Sequence, residues 1–236
     1  MIGFILSRPY HPYVKASAVL FLTCLSLFSQ AQRSDVGNWF IYVGNQPFAK
    51  KKWNLWNEVQ YRNYNVAGDL EQLILRTGVG RNLTANNNNL LLGYAYIQSE
   101  PYVAGTDMKR STREHRVWQQ FITRQQFGRV FLQHRYRLEQ RFLQDDFRMR
   151  FRYFLAVNVP VNKPGMDPGA FYISAYNEFF LHLDKPVFDR DRIYAAMGYV
   201  LKKDLRMEVG IMSQVQETRS RSQFQVVVFN NLSFLK

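Results

Sequence analysis

Cysteine is nearly absent from this sequence. Its 236 residues include one cysteine, Cys24, and a chain with one thiol cannot build an intramolecular disulfide framework or a cysteine-ligated metal site. The short motifs that mark many enzymes are missing as well, because the sequence contains no HExxH, GxSxG or P-loop pattern. We therefore expect no metal and no cofactor, and sequence motifs assign no catalytic residue.

Acidic residues are scarce relative to basic ones. The chain has 31 lysines and arginines against 18 aspartates and glutamates, a formal charge of +13, and 16% of its residues are aromatic. This composition is typical of proteins that bind nucleic acid or an anionic membrane surface. The N-terminus decides between the two partners.

The N-terminal segment has the pattern of a secretory signal peptide. Basic residues precede an apolar run at 16–28, and small residues at and before Ala31 follow it. The run is short for a membrane anchor, which is the alternative. A lipoprotein signal would use Cys24, but much of the apolar run follows that residue. We expect a signal peptide at 1–31, a mature domain at 32–236, and no nucleic-acid partner.

Long apolar runs are also missing from the mature chain, so no transmembrane helix is expected. Instead, apolar and polar residues alternate in segments of about ten residues, which is the pattern of an antiparallel up-and-down transmembrane β-barrel. The connections form two alternating sets, as a meander requires. Bacterial single-chain barrels have even strand numbers, so with eleven segments we expect ten to twelve strands: either the first is not a full strand or one is missed. The segments are 39–43, 53–62, 70–81, 90–98, 113–124, 130–142, 147–159, 170–183, 190–201, 205–215 and 224–234.

A soluble β-sandwich would alternate too, but lysine should then be common on its solvated face. Here the polar face is rich in arginine, glutamate, glutamine and tyrosine, and arginine is favoured in buried ion pairs with several hydrogen bonds. The other face is almost wholly apolar and aromatic. The composition of the two faces favours the barrel.

The polar face predicts a luminal network of ion pairs. A tight turn at Gln144 and Asp145 places Glu139 opposite Arg150 on the neighbouring strand. A turn at 127–128 places Arg116 opposite Glu139 and, in the same register, Glu114 opposite Arg141; such direct neighbours lie within reach of bidentate contacts. The predicted network comprises Glu58, Arg62, Arg76, Glu114, Arg116, Arg135, Arg137, Glu139, Arg141, Arg148, Arg150, Arg152, Glu178 and Arg192.

Several of these segments resemble a known family. The most specific are EHR at 114–116 and HRYRLEQR at 134–141, and others are WNLWNEVQYR at 53–62, GYAY at 93–96 and YNE at 176–178. The chain resembles the bacterial outer-membrane proteins catalogued as domain of unknown function twenty-four-ninety. The resemblance implies an outer-membrane β-barrel of a didermal bacterium, with outer-membrane lipid and the barrel-assembly machinery as partners. It implies no activity.

Four functions are compatible with such a barrel. A narrow pore lined with arginine would favour anions, whereas long arginines could also fill a barrel of this size and leave a structural protein. A lipid-modifying hydrolase is an alternative, but Ser174, Glu178 and His182 share one strand, so neighbours in this set lie about 13 Å apart. Loop cations could instead bind a protein partner or lipopolysaccharide phosphates; these are Lys109, Arg110, Arg113, Arg219 and Arg221.

Overall fold

Eleven β-strands form one closed barrel in the computed structural model, which describes residues 36–48, 50, 52–84 and 87–233. The predicted signal peptide at 1–31 lies outside these residues. Within them, no helix is long and apolar enough to cross a membrane. The strands are β1 Val36–Phe48, β2 Trp53–Asn63, β3 Leu70–Asn82, β4 Asn88–Ser99, β5 Thr112–Phe127, β6 Val130–Phe142, β7 Phe147–Pro160, β8 Phe171–His182, β9 Phe188–Lys202, β10 Leu205–Val215 and β11 Ser220–Asn230.

The odd strand number is explained by how the barrel closes. Each strand pairs antiparallel with the next along the chain, and β1 then pairs parallel with β11. An up-and-down meander with an odd number of strands can close in no other way, because its first and last strands run in the same direction. The expectation that the first segment falls short or that a strand is missed is wrong: β1 is a full strand of 13 residues.

Side chains alternate between the two faces of every strand, as a single-layer barrel requires. On β2, Asn54, Trp56, Glu58, Gln60 and Arg62 are buried, while the residues between them point outward. Every strand exposes at least one large apolar side chain on its outward face. The most exposed of these include Leu92, Ile173, Ile193, Met197 and Ile211, with fractional exposures between 53% and 66%.

Glycine on one strand leaves room for a large interior side chain of the neighbouring strand to pack flat against the inner face of the barrel wall. Gly93 on β4 pairs with Trp118 on β5, and a Cβ on Gly93 would lie 2.3 Å from Cζ2 of the Trp118 ring. Around this ring, β2 to β5 contribute an apolar cluster that fills one side of the interior. The cluster consists of Trp56, Ile74, Leu91, Ala95, Ile97, Trp118 and Ile122.

The two ends of the barrel are named here by their connections. The upper end carries the connections 64–69, 100–111, 143–146, 183–187 and 216–219. The lower end carries 49–52, 83–87, 128–129, 161–170 and 203–204.

The predicted β6–β7 register is confirmed, and the predicted β5–β6 register is wrong by two residues. Glu139 pairs with Arg150, but Trp118, not Arg116, pairs with Glu139. The β5–β6 turn has Gly128 and Arg129 at its centre, and Gly128 has a φ of 56°. A type II′ hairpin turn requires positive φ at its first central position, which favours glycine there and disfavours phenylalanine.

Candidate functional site

Glu139 on β6 is the centre of a charged layer inside the barrel. Its side chain is 1% exposed and accepts hydrogen bonds from two arginines of β7: Nη2 of Arg150 and Nη1 of Arg152 each lie 2.6 Å from its carboxylate. Nη1 of Arg116 and Nη1 of Arg137 lie 3.7 Å away. One carboxylate therefore neutralises part of the charge of four guanidiniums.

Each of three arginines joins Glu139 to a second carboxylate. Arg116 also donates to Glu114 at 2.6 Å, Arg150 to Asp189 at 2.7 Å, and Arg152 to Glu178 at 2.6 Å. These carboxylates lie on β5, β9 and β8 respectively. The result is a continuous ion-pair network across five neighbouring strands, because Glu139 itself lies on β6 and two of the arginines on β7.

The network ends in further arginines. Arg141 donates to Glu114 at 2.6 Å, and Arg135 donates to Glu178 at 2.6 Å. Nη1 of Arg192 lies 3.8 Å from Glu178. On the opposite wall, Arg76 and Glu58 form a separate buried ion pair.

The predicted partners Arg116 and Glu139, and Glu114 and Arg141, are in contact although the register that predicted them is wrong. A shift of two residues keeps every side chain on its face, and diagonal neighbours in a sheet are within reach of long side chains. The alternation of odd and even positions along each strand therefore predicted the correct face for these residues. The position of the turn decides which of them lie directly opposite each other.

Arg148 is set apart from the other predicted network residues. Its side chain is 51% exposed at the upper end, where it pairs with Asp146. The network also contains Asp189, which was not predicted and which accepts hydrogen bonds from Arg150 and Arg190. The sequence prediction missed Asp189 because it began the ninth strand at 190 and left this residue in the preceding loop.

Three buried arginines of the described residues have no carboxylate at hydrogen-bonding distance. One is Arg192, which donates to Gln214 at 2.9 Å. Arg62 donates to the side chains of Gln60 and Gln72, and its guanidinium carbon lies 3.6 Å from the centre of the Trp39 ring. Arg137 donates to Gln120 at 2.9 and 2.5 Å and lies over Trp118. Stacking on an aromatic face stabilises a desolvated guanidinium.

The charged layer lies above a cavity of about 540 Å³, which we call the chamber. Its lining extends from Arg62, Arg137 and Arg192 down to Lys203 and Asp204 in a turn of the lower end, and it includes no residue from the upper connections that the structure describes. A second cavity of about 130 Å³ lies toward the upper end. Trp39 and Arg62 line both cavities, so their stacked side chains form part of the wall between them.

The residues considered for a hydrolase do not come together. Glu178 is held by Arg135 and Arg152, and Nε2 of His182 lies 3.9 Å from Asp189. The other two histidines among the described residues bond outward-facing tyrosines, His115 with Tyr94 and His134 with Tyr153. A serine nucleophile needs a base within about 3 Å, and none of these histidines is placed to serve Ser174.

No group of three or more His, Cys, Asp or Glu side chains within the described part of the chain is arranged to hold a metal ion. The arrangement instead concentrates hydrogen-bond donors and positive charge around a chamber that reaches the lower end. Such a space suits acceptor-rich molecules or a purely structural role.

The comparisons with known proteins give one match. A family model with the description "Protein of unknown function (DUF2490)" matches residues 36–225, which span β1 to the middle of β11. No curated protein and no solved structure matches the chain. The matched residues contain every segment on which the resemblance noted in the sequence was based. The chain therefore belongs to the DUF2490 family of proteins of unknown function.

Proposed function

We propose that this chain is an integral outer-membrane β-barrel whose interior charged layer closes it to ions, so that its role is structural or ligand-binding and not conduction. The observation that carries the membrane part is the apolar exterior. Proteins in water rarely expose contiguous apolar surface larger than a few hundred Å², yet here large apolar side chains are exposed on the outward face of every one of the eleven described strands.

A closed barrel is also one of the two backbone arrangements that can span a bilayer. Every strand pairs on both sides, including the β1–β11 closure, so no edge leaves backbone donors and acceptors unpaired in hydrocarbon. The lysine-poor interior fits the same proposal, because most charged side chains of the strands, such as Glu139, Arg150 and Arg152, are turned away from the lipid.

The closed interior carries the second part of the proposal. An open pore would be a continuous space from end to end, whereas here Trp39 and Arg62 lie between the two cavities. The ion-pair network fixes the neighbouring side chains, since Arg150 and Arg152 each bridge two carboxylates.

Lipopolysaccharide or partner binding through loop cations has weaker support. Of the five cations considered, Lys109 is paired with Asp69, and Arg221 donates to Glu71 at 2.9 Å. Both are therefore engaged with carboxylates of the barrel, and a phosphate would have to compete with these partners.

Cell fractionation followed by gel electrophoresis with and without boiling tests the membrane proposal. We expect the protein in the outer-membrane fraction, resistant to carbonate extraction, and migrating faster before boiling than after it. The boiled sample serves as the unfolded control. Recovery in the soluble fraction, with one mobility before and after boiling, would refute membrane insertion.

A further inference from the structure

The chamber has a strong excess of positive charge. Nine of its lining residues are cations and four are carboxylates. The cations are Arg62, Arg76, Arg124, Arg135, Arg137, Arg152, Arg192, Lys203 and Arg206, and the carboxylates are Glu58, Glu178, Asp204 and Glu208. Like charges around a partly desolvated space repel one another, and an anion in the chamber would reduce this repulsion.

Among the unpaired hydrogen-bonding groups of the lining, donors outnumber acceptors. Five buried donors of chamber residues have no acceptor among the described residues, against one buried acceptor without a donor, Oδ1 of Asn158. These atoms have almost no accessible surface, so a ligand in the chamber would not contact them directly; their excess shows that the lining is short of hydrogen-bond acceptors. The five donors are Trp39 Nε1, Arg76 Nε, Arg135 Nε, Arg206 Nε and Gln225 Nε2.

Arg62 and Arg137 define the inner end of the chamber. Arg62 is 7% exposed and Arg137 is 1% exposed, and both donate to glutamine side chains and not to carboxylates. Arginine presents donors in a planar fork that matches phosphate and carboxylate. An acidic group at this depth would give both arginines the anionic partner that the chain itself does not place within hydrogen-bonding distance.

Part of the wall below these arginines is apolar, while amide and charged side chains line the rest. Apolar and aromatic residues of β1, β2, β7 and β11 line the chamber between the charged layer and the lower end, and the cavity volume of about 540 Å³ lies in the range of small-molecule sites. These wall residues are Ile41, Val43, Pro47, Trp56, Phe154, Ala156, Val227 and Phe229.

We propose that the chamber binds one small organic anion, with its phosphate or carboxylate group at Arg62 and Arg137 and its apolar part against the wall residues. The ligand enters from the lower end, where Lys203 and Arg124 line the chamber. Positive charge at an entrance attracts anions before contact. This proposal goes beyond the proposed function and does not depend on membrane insertion, because it concerns the interior of the barrel only.

Isothermal titration calorimetry of the full chain in a zwitterionic detergent tests the proposal. The probes are hexyl phosphate and hexanoate, which carry the two acidic groups, with inorganic phosphate and hexyltrimethylammonium as controls for the apolar part and for the charge. We expect saturable binding of at least one of the two hexyl anions at one site per chain, at least tenfold weaker binding of inorganic phosphate, and no binding of the cation. The tighter of the two anions identifies the acidic group.

Two variants locate the site, and a third is the matched control. Arg62→Gln and Arg137→Gln each remove one charge without breaking a hydrogen bond to a carboxylate, and we expect each to weaken anion binding at least tenfold. Arg148→Gln removes the same charge at the upper end, where the side chain is 51% exposed, and should bind the anion as the wild-type protein does. Heat-modifiable migration on a gel verifies that each variant is folded.

Several results would overturn the proposal. The wild-type titrations decide it even where a variant does not fold: no saturable binding of either hexyl anion, or equal binding of the hexyl cation, refutes an anion site. Equal affinity for inorganic phosphate refutes the role of the apolar wall. Unchanged binding in both folded chamber variants, or the same loss in Arg148→Gln, refutes the location.

Discussion

Replacing Glu139 by glutamine should destabilise the barrel more than any single surface change. The substitution keeps the shape of the side chain and removes its charge. Arg150 and Arg152 then each lose a charged hydrogen-bond acceptor 2.6 Å away, and the two guanidiniums at 3.7 Å lose their attraction to it. Removing one partner of a buried ion pair costs about 3–5 kcal/mol. Arg150 keeps Asp189 and Arg152 keeps Glu178 as partners, but all four guanidiniums around Glu139 lose the carboxylate between them.

This free energy converts into a large change in the thermal midpoint. For a chain of this size, a loss of 1 kcal/mol lowers the midpoint by about 2–4 °C, so we expect Glu139→Gln to lower it by about 6–20 °C. The midpoint is measured on the folded protein in detergent, by the loss of heat-resistant gel mobility and by circular dichroism.

The matched control is Asp146→Asn, which also replaces a carboxylate that pairs with an arginine. Asp146 and Arg148 are 46% and 51% exposed at the upper end, and water screens such a pair, so its loss should leave the midpoint nearly unchanged. If Glu139→Gln shifts the midpoint no more than this control, the charged layer does not hold the barrel together.

Substitutions at two glycines test the close contact between β4 and Trp118 and the conformation of the β5–β6 turn. Gly93→Ala should cost about 1–3 kcal/mol of stability by overpacking, because the new Cβ would lie 2.3 Å from the Trp118 ring and 2.7 Å from the carbonyl oxygen of Thr77; an unchanged unfolding midpoint would show that the ring moves freely. Gly128→Ala should cost about 1–2 kcal/mol, because alanine is strained at the φ of 56° while nothing lies within 4 Å of its Cβ. Gly128→Asn should cost less, since asparagine tolerates positive φ better; equal losses for alanine and asparagine would show that backbone conformation does not set this turn.

The faces of the strands could be predicted from sequence because side-chain direction depends only on parity. Arg150 and Arg152 alternate with Met149 and Phe151, and the structure buries the two arginines. The β6–β7 partners also followed, since the polar residues Gln144 and Asp145 mark a tight turn. The β5–β6 register did not, because two adjacent turns were possible and the positive φ of Gly128 selected one of them.

The parallel closure and the chamber could not be predicted in the same way. The closure joins β1 to β11, which are far apart in sequence and share no turn that would set their register. The chamber depends on how the long side chains of Arg62 and Arg137 extend into the interior. The alternation of the sequence predicts that both point inward, but it does not predict how far each side chain extends. The bridging role of Asp189 was missed for a related reason, since it depends on where β9 begins.

Ion conduction through the folded protein in a planar lipid bilayer tests the central claim most directly. Insertion is verified by heat-modifiable mobility of the reconstituted protein, and current is recorded in symmetric potassium chloride. We predict no stepwise conductance, because the stacked Trp39 and Arg62 side chains lie between the two cavities. Stable single-channel steps from the folded wild-type protein, with selectivity for anions, would contradict a closed interior and favour the narrow pore.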